Sequence, residues 1–222
     1  MFNIHFEDVH LVVLSKPAGL LSQGEHTGDE NLVDLLKPHF GRNYVGLIHR
    51  LDRNTSGLMV VAKRTKAAQR LTQSLQEGTL QRKYLAWVHG AINSSQTWNH
   101  FLKKNEKTNF VSVVKDSSTG KPSTLKAQPI AQGVWEKNTL TLVEFTLETG
   151  RSHQIRVQAA AQGHPLLGDI KYGSPQVQDS FPRPALHSSF LSFPHPMSKE
   201  ILQFTDPLPL DMNQIKTRPL RS

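Results

Sequence analysis

The stretch His49-Arg50-Leu51-Asp52-Arg53-Asn54-Thr55-Ser56-Gly57-Leu58 constrains this chain more than any other. It sets one carboxylate, Asp52, between two arginines. It then runs straight into Leu58-Met59-Val60-Val61-Ala62, which Lys63-Arg64 end. A short, partly β-branched apolar run bounded by charge predicts a buried strand. The charged cluster is then a loop feeding that strand, with Gly57 as the pivot that needs a glycine's backbone freedom. Positive neighbours favour the ionised form of a carboxylate. So placed, Asp52 is either a candidate nucleophile or one arm of a loop salt bridge, and the residue pattern alone leaves both open.

Charge narrows the choice of partner. The chain has 26 Lys+Arg against 18 Asp+Glu, a formal net charge of +8 in 222 residues. That balance favours a polyanion, nucleic acid ahead of a membrane surface. No run approaches the roughly 18–20 apolar residues of a membrane span. The first eight residues carry acids and no basic n-region, so no signal peptide is expected and the cytoplasm is the default compartment. Without cysteine, thiol nucleophiles, disulfides and Cys-ligated zinc are excluded. Eleven histidines are scattered without a tight ligand pairing, so no functional metal is expected. The Gly-x-Ser-x-Gly elbow of hydrolases is also missing.

In chain order, Val9–Leu14 predicts a strand closed by Ser15-Lys16-Pro17-Ala18-Gly19, where Lys16 is either a phosphate contact or a solvated turn lysine. Residues 22–31 read as a surface loop. Asn31 is expected to cap a short helix bearing Leu32, Leu35 and Leu36 and stopped by Pro38. Thr65 is expected to cap a helix reaching about Glu77, with Gly78 just beyond its end and a basic solvated face. Residues 83–89 have strand composition, and Tyr84 is either a half-buried strand aromatic or a ring offered to a ligand. Residues 110–114 and 185–193 are further strands. Leu140 and Leu142 alternate in one phase and Val143, Phe145 and Leu147 in the other, which predicts a bulge. Ser152 is expected to cap a helix running through Ala161 to Gly163. Arg151 and Arg156 then lie at its start, as an anion receptor or as ordinary surface charge. The Pro-rich, basic end, residues 211–222, reads as a partly ordered tail.

Taken together these stretches resemble the RluA-type pseudouridine synthases. The resemblance rests on Lys16-Pro17-Ala18-Gly19, on His49-Arg50-Leu51-Asp52-Arg53-Asn54-Thr55-Ser56-Gly57, on Lys83-Tyr84 and on Thr149-Gly150-Arg151-Ser152-His153-Gln154-Ile155-Arg156-Val157. Gly163-His164-Pro165, Gly168-Asp169, Leu186-His187 and His195-Pro196 add to it, in family order, across about residues 5 to 210. It implies an α/β chain of α+β type: a single catalytic domain over residues 1–210, with a mixed, mainly antiparallel sheet flanked by helices. Its cleft would be lined by the Asp52 loop and the Arg151–Arg156 segment.

The resemblance also implies isomerisation of uridine to pseudouridine in tRNA or rRNA, by a monomer without cofactor or metal. Asp52 matches the catalytic aspartate, Tyr84 the active-site tyrosine and Arg156 the arginine that pairs with the aspartate. Ile155 matches an apolar wall of the uracil pocket, and Arg50 a residue that fills the gap left by the extruded nucleotide. His49, Lys16 and Arg151 are expected at the RNA. The other class of function is a catalytically idle RNA-binding or ribosome-assembly factor, against which intact Asp52, Tyr84 and Arg156 argue. Two departures from the family stand out. Gln158 replaces a histidine, which predicts an altered hydrogen bond beside the site. The Lys-Pro-Ala-Gly stretch arrives by residue 16, so no S4-like module is expected before it, and recognition would fall to the domain's own loops on a compact stem-loop.

Overall fold

The computed structural model describes residues 2–25, 28–173 and 181–218. Residues 26–27 of the expected surface loop and 219–222 of the expected tail lie outside the described residues. Strands β1 (Asn3–Glu7) and β2 (Leu11–Lys16) lead to helix α1 (Leu32–Phe40), β3 (Gly46–Leu47), β4 (Ser56–Ala62) and helix α2 (Thr65–Gln76). Next come β5 (Gln81–His89), β6 (Gln96–Asn105), β7 (Phe110–Val114), β8 (Lys121–Trp135), β9 (Asn138–Leu147) and helix α3 (Gln154–Ala161). Then follow β10 (Leu186–Pro194), β11 (Ile201–Thr205), helix α4 (Leu210–Asn213) and β12 (Lys216–Arg218). The class is α+β with mostly antiparallel pairing, as expected. The chain divides into two compact units, Met1–Arg82 with His187–Pro207, and Lys83–Leu186 with Leu208–Ser222.

In the first unit the strands run β1-β2-β4-β10, with β3 on β4 and β11 on β10. Every residue of β4 is buried, which explains a continuous apolar run rather than an alternating one. The Leu58, Val60 and Ala62 side chains join Leu11, Val13, Leu71 and Phe193 in one core. The β4–β10 pair is parallel, through His187↔Ser56 and Ser188↔Gly57. Gly57 has φ 109°, and a Cβ there would sit 2.2 Å from the Ser188 carbonyl oxygen. The predicted pivot is therefore also a close-approach point.

The helix ends follow the sequence only in part. Asn31 caps α1 as expected, accepting the Asp34 N–H at 3.1 Å. Pro38 does not stop that helix. It lies in the last turn, where it forfeits a single amide donor, and α1 closes at Gly41 in the left-handed conformation. Thr65 is the first helical residue of α2 rather than its cap, because the extended backbone before the helix belongs to Arg64. Gly78, at φ 75°, takes the left-handed position predicted for it.

In the second unit the order is β5-β9-β8-β6-β7, with β12 on β8. The predicted bulge exists in the β8–β9 pair, but the extra residue is on β8, between Pro129 and Ala131, not on β9. Pro129 has no N–H to give the ladder, so pairing breaks where the least is lost. Of the expected tail, residues 211–218 are described, and part of that stretch is packed. Met212 and Ile215 are buried with Trp87, Leu142 and Phe181, the Trp87 indole N–H donates to the Met212 carbonyl at 3.0 Å, and Arg183 pairs with Asp211 at 2.6 Å. Two apolar anchors outweigh the basic composition. No helix among the described residues is long and apolar enough to cross a membrane.

Candidate active site

The first unit carries Asp52, His49, Arg50 and Lys16. The residues on both sides of Asp52 are pinned through their main chain. The Ser22 hydroxyl donates to the Leu51 carbonyl at 2.7 Å and accepts the Leu51 N–H at 3.1 Å. The Arg53 carbonyl accepts from Lys16 Nζ at 3.0 Å and from the Gly19 N–H at 2.9 Å. The Asp52 carbonyl takes the Thr55 N–H at 3.0 Å, which closes the turn, and the Asp52 side chain is half-buried.

Lys16 is therefore neither of the two things its sequence position suggested. It is 1% exposed, and its ammonium also donates to the Pro17 and Leu20 carbonyls at 2.9 and 2.7 Å. An ammonium committed to three carbonyls is not a phosphate contact. It is the tie between the Lys-Pro-Ala-Gly turn and the Asp52 loop.

The flanking arginines diverge. The Arg53 guanidinium engages the Asp29 carboxylate. Arg50 is exposed and has no hydrogen bond or ion pair among the described residues. His49 is buried, and its Nε2 accepts the Val60 N–H at 3.4 Å. Burial, helped by the nearby Arg82 charge, pushes the imidazole down to about 3, so it is neutral. A shallow concavity of about 340 Å³ opens beside the loop, lined in part by Pro17, Gly19, Arg53, Asp29 and Glu30. Two acids against one arginine, itself paired with Asp29, leave its wall without surplus positive charge for an RNA backbone.

The second unit carries Tyr84, Arg151, Ile155 and Arg156. Tyr84 is buried on β5, paired across the ladder with Phe145 of β9. Helix α3 begins one residue later than expected. His153, at φ 52° and without a side-chain cap bond, takes the place assigned to Ser152. What organises the turn is Gln154, whose amide oxygen accepts from the Arg151 N–H and the Thr149 hydroxyl, both at 2.9 Å. Its amide nitrogen donates to the Thr124 carbonyl at 3.1 Å. Arg151 stays on the surface, reaching the Pro122 carbonyl at 3.2 Å. Ile155 is buried in the first turn.

Arg156 is buried and held from several sides. Its guanidinium forks onto Asp169, Nε to Oδ2 at 2.7 Å and a terminal nitrogen to Oδ1 at 2.8 Å. Asp169 also accepts the Lys171 and Tyr172 backbone N–H groups at 3.1 and 3.2 Å. The Tyr172 ring lies 5.1 Å from the guanidinium carbon. The Tyr172 hydroxyl accepts the Val111 N–H at 3.0 Å and hydrogen-bonds His153 Nδ1 at 2.6 Å. Gly168, at φ 73°, makes this turn possible, since a Cβ there would fall 2.2 Å from the Arg183 carbonyl oxygen. Gln158 is fully buried, and its amide nitrogen faces the Trp98 and Ser123 carbonyls and His100 Nδ1. It ties α3 to β6 and β8.

Sequence reasoning gave no role to Asp169, Tyr172 or Gln154. The only signal for the first two was a Gly-Asp turn with an aromatic three residues on.

Comparison with known proteins fits this arrangement. A family described as RNA pseudouridylate synthase matches residues 10–161. The ribosomal large subunit pseudouridine synthase D of Nitrosomonas europaea is 38% identical over 94% of this chain, which spans 62% of that protein's length. The uncharacterized RNA pseudouridine synthase YlyB of Bacillus subtilis is 37% identical over 96% of this chain and 71% of its own. Among solved structures, human RNA pseudouridylate synthase domain containing 1 superposes with a TM-score of 0.84 at 25% identity, covering 100% of this chain and 91% of the other.

Proposed function

Because the chain belongs to the RNA pseudouridylate synthase family, we propose that it isomerises uridine to pseudouridine within RNA, with Asp52 as the reacting carboxylate. The N1–C1′ glycosidic bond breaks, the base turns, C5 bonds to C1′, and the C5 proton leaves while N1 regains one. Attack at C1′, addition at C6 and assisted elimination at the sugar all require a carboxylate oxygen presented on a fixed backbone to an extruded nucleoside. Extrusion costs a few kcal/mol, roughly, and contacts to the flanking strand offset it.

The observation that carries this reading is the double anchoring of Leu51 and Arg53, which fixes the backbone path through Asp52. Arg156, oriented by Asp169, takes the role the family resemblance gives it, the arginine of the reaction centre. Tyr84 stacks on the uracil and assists loss of the C5 proton, and Ile155 provides an apolar wall. Arg50 fills the vacated stack, and phosphate contacts give the binding its salt dependence. The idle-factor alternative has no observation in its favour. The names of the N. europaea relative and of the 35% identical Pasteurella multocida protein, ribosomal large subunit pseudouridine synthases D and C, favour a large-subunit rRNA stem-loop over tRNA.

The test is tritium release from transcripts labelled at uridine C5. Release from large-subunit rRNA fragments is expected. Release from tRNA alone would overturn the substrate assignment, and none from either would overturn the activity.

A further inference from the structure

The Leu186-His187 stretch has no part in the reaction described so far. His187 lies on β10 in the first unit and is 2% exposed. Its Nδ1 is 3.0 Å from the hydroxyl of Ser56, the residue that opens β4 just beyond the Asp52 turn. Its Nε2 is 3.3 Å from the Asp206 main-chain carbonyl oxygen and 3.6 Å from a carboxylate oxygen of the same residue. Both of these neighbours are acceptors, so Nε2 carries a proton. In the neutral ring Nδ1 is then the acceptor, and the Ser56 hydroxyl donates to it. The Asp206 carboxylate accepts the Ser15 hydroxyl in turn.

Ser15 and Lys16 are consecutive on β2, and together they hold the Asp52 loop on its far side. Lys16 grips the Arg53 carbonyl directly. Ser15 reaches Ser56 through Asp206 and His187. The backbone by itself fixes this exit weakly. The parallel β4–β10 ladder has two rungs among the described residues, His187↔Ser56 and Ser188↔Gly57. Ser56 is 6% exposed, so without the ring its hydroxyl has little water to turn to. Serine, histidine and aspartate also make hydrolytic triads. Here the hydroxyl and the ring are both buried and the Gly-x-Ser-x-Gly elbow is missing, so the hydroxyl is a tie and not a nucleophile.

We propose that His187 is a positioning residue: through Ser56 it fixes the exit of the Asp52 loop, and so the direction in which that carboxylate is presented. The proposal rests on the reading of Asp52 as the reacting group. The Asp52 carbonyl takes the Thr55 N–H, and Ser56 follows at once, so slack at Ser56 passes straight into the turn.

His187→Asn and His187→Gln separate the two ends of the ring. The Asn amide falls where Nδ1 was and keeps a partner for Ser56. The Gln amide nitrogen falls where Nε2 was and keeps a donor for Asp206. Ser56→Ala cuts the tie from the other side by removing one oxygen. For each full-length variant, kcat and KM come from tritium release by a C5-labelled large-subunit rRNA fragment. Deuterium exchange is followed over residues 51–58, and the melting temperature is recorded. His187→Gln and Ser56→Ala should each lose about tenfold in kcat, with KM within about twofold of the wild type. Their 51–58 amides should exchange faster, that of Thr55 included. His187→Asn should keep most of the rate and the wild-type exchange pattern, even where it melts lower. The double variant His187→Gln/Ser56→Ala should be no slower than the slower single one, because both changes cut the same bond.

Two results would overturn the proposal: wild-type kcat in Ser56→Ala, or a loss of kcat in His187→Asn equal to that in His187→Gln, as a merely structural ring would give. Should a His187 variant fail to fold, Ser56→Ala decides alone. If the wild type releases no tritium but exchange over 51–58 still ranks the variants as stated, the proposed activity fails and the anchor stands. If that ranking is lost too, both fail. If the wild type releases tritium and Ser56→Ala exchanges and turns over as it does, the anchor fails alone.

Discussion

The two regions that carry the site residues are held by different means. Around Asp52 the supports are aimed at main chain: Lys16, Gly19 and Ser22 bind backbone groups of Leu51 and Arg53. Around Arg156 the supports are aimed at a side chain: Asp169 takes the guanidinium by its fork, and Tyr172, fixed by His153 and Val111, lies against it. Support through the backbone fixes a path and leaves the chemistry to whichever side chain is mounted on it. Support through side chains fixes one plane of one group, and it fails when a single partner changes. Under the proposed reaction, a nucleophile that meets a swung-out nucleotide would suit the first arrangement, and a charge that must stay put the second.

The largest effect should come from Asp169→Ala. It strands a buried guanidinium, at a cost of about 3–5 kcal/mol in urea unfolding, and turnover should fall with it. A variant as stable as the wild type would show that the side-chain network does not hold Arg156.

Lys16→Met should follow, at about 2–3 kcal/mol. The stem is kept, but three carbonyls lose a charged donor. Turnover should drop further than RNA affinity, because the loop path, not the binding surface, is disturbed. Equal losses in both would break the distinction between the two regions.

An effect of up to similar size concerns pH. The His49 imidazole titrates near 3 in the fold against an ordinary 6.5, so the unfolded chain takes up the proton first. Its contribution is whole above pH 6.5 and is lost as pH falls toward 3. Between pH 6.5 and 4.5, wild-type stability should decline up to about 1.4 kcal/mol per pH unit more steeply than that of His49→Asn. Parallel profiles would contradict a buried neutral ring. Smallest is Tyr172→Phe, which removes the hydroxyl's bonds to the Val111 N–H and to His153 Nδ1, about 1–2 kcal/mol, and leaves the ring beneath Arg156. A larger loss of turnover than of stability would sharpen the case that His153 and Tyr172 set the guanidinium's angle.

What the sequence made legible was local. The buried β4 run, the Gly57 pivot, the Asn31 cap and the Gly78 helix end each depend on residues within a few positions of one another. The misplacements came from contacts that local pattern does not encode. Pro38 looked like a stop because its cost was weighed without the Gly41 closure that follows. Ser152 looked like a cap because a hydroxyl suits the position, but Gln154 bonds the turn more completely. Lys16 looked like a phosphate contact or a solvated turn lysine because it is charged and precedes a proline. Its three acceptors, one of them 37 residues away, were out of sight. Asp169 had no visible partner, since nothing in a Gly-Asp turn announces an arginine thirteen residues earlier. Met212 and Ile215 were two apolar residues in a basic, proline-containing stretch, too sparse to register as a packing face.

The measurement that bears most directly on the account is tritium release from C5-labelled RNA by Asp52→Asn and Asp52→Ala, with RNA affinity measured alongside. Both variants should bind RNA nearly as the wild type does and release no tritium. Release at the wild-type rate from either one would contradict the assignment of Asp52 as the reacting group.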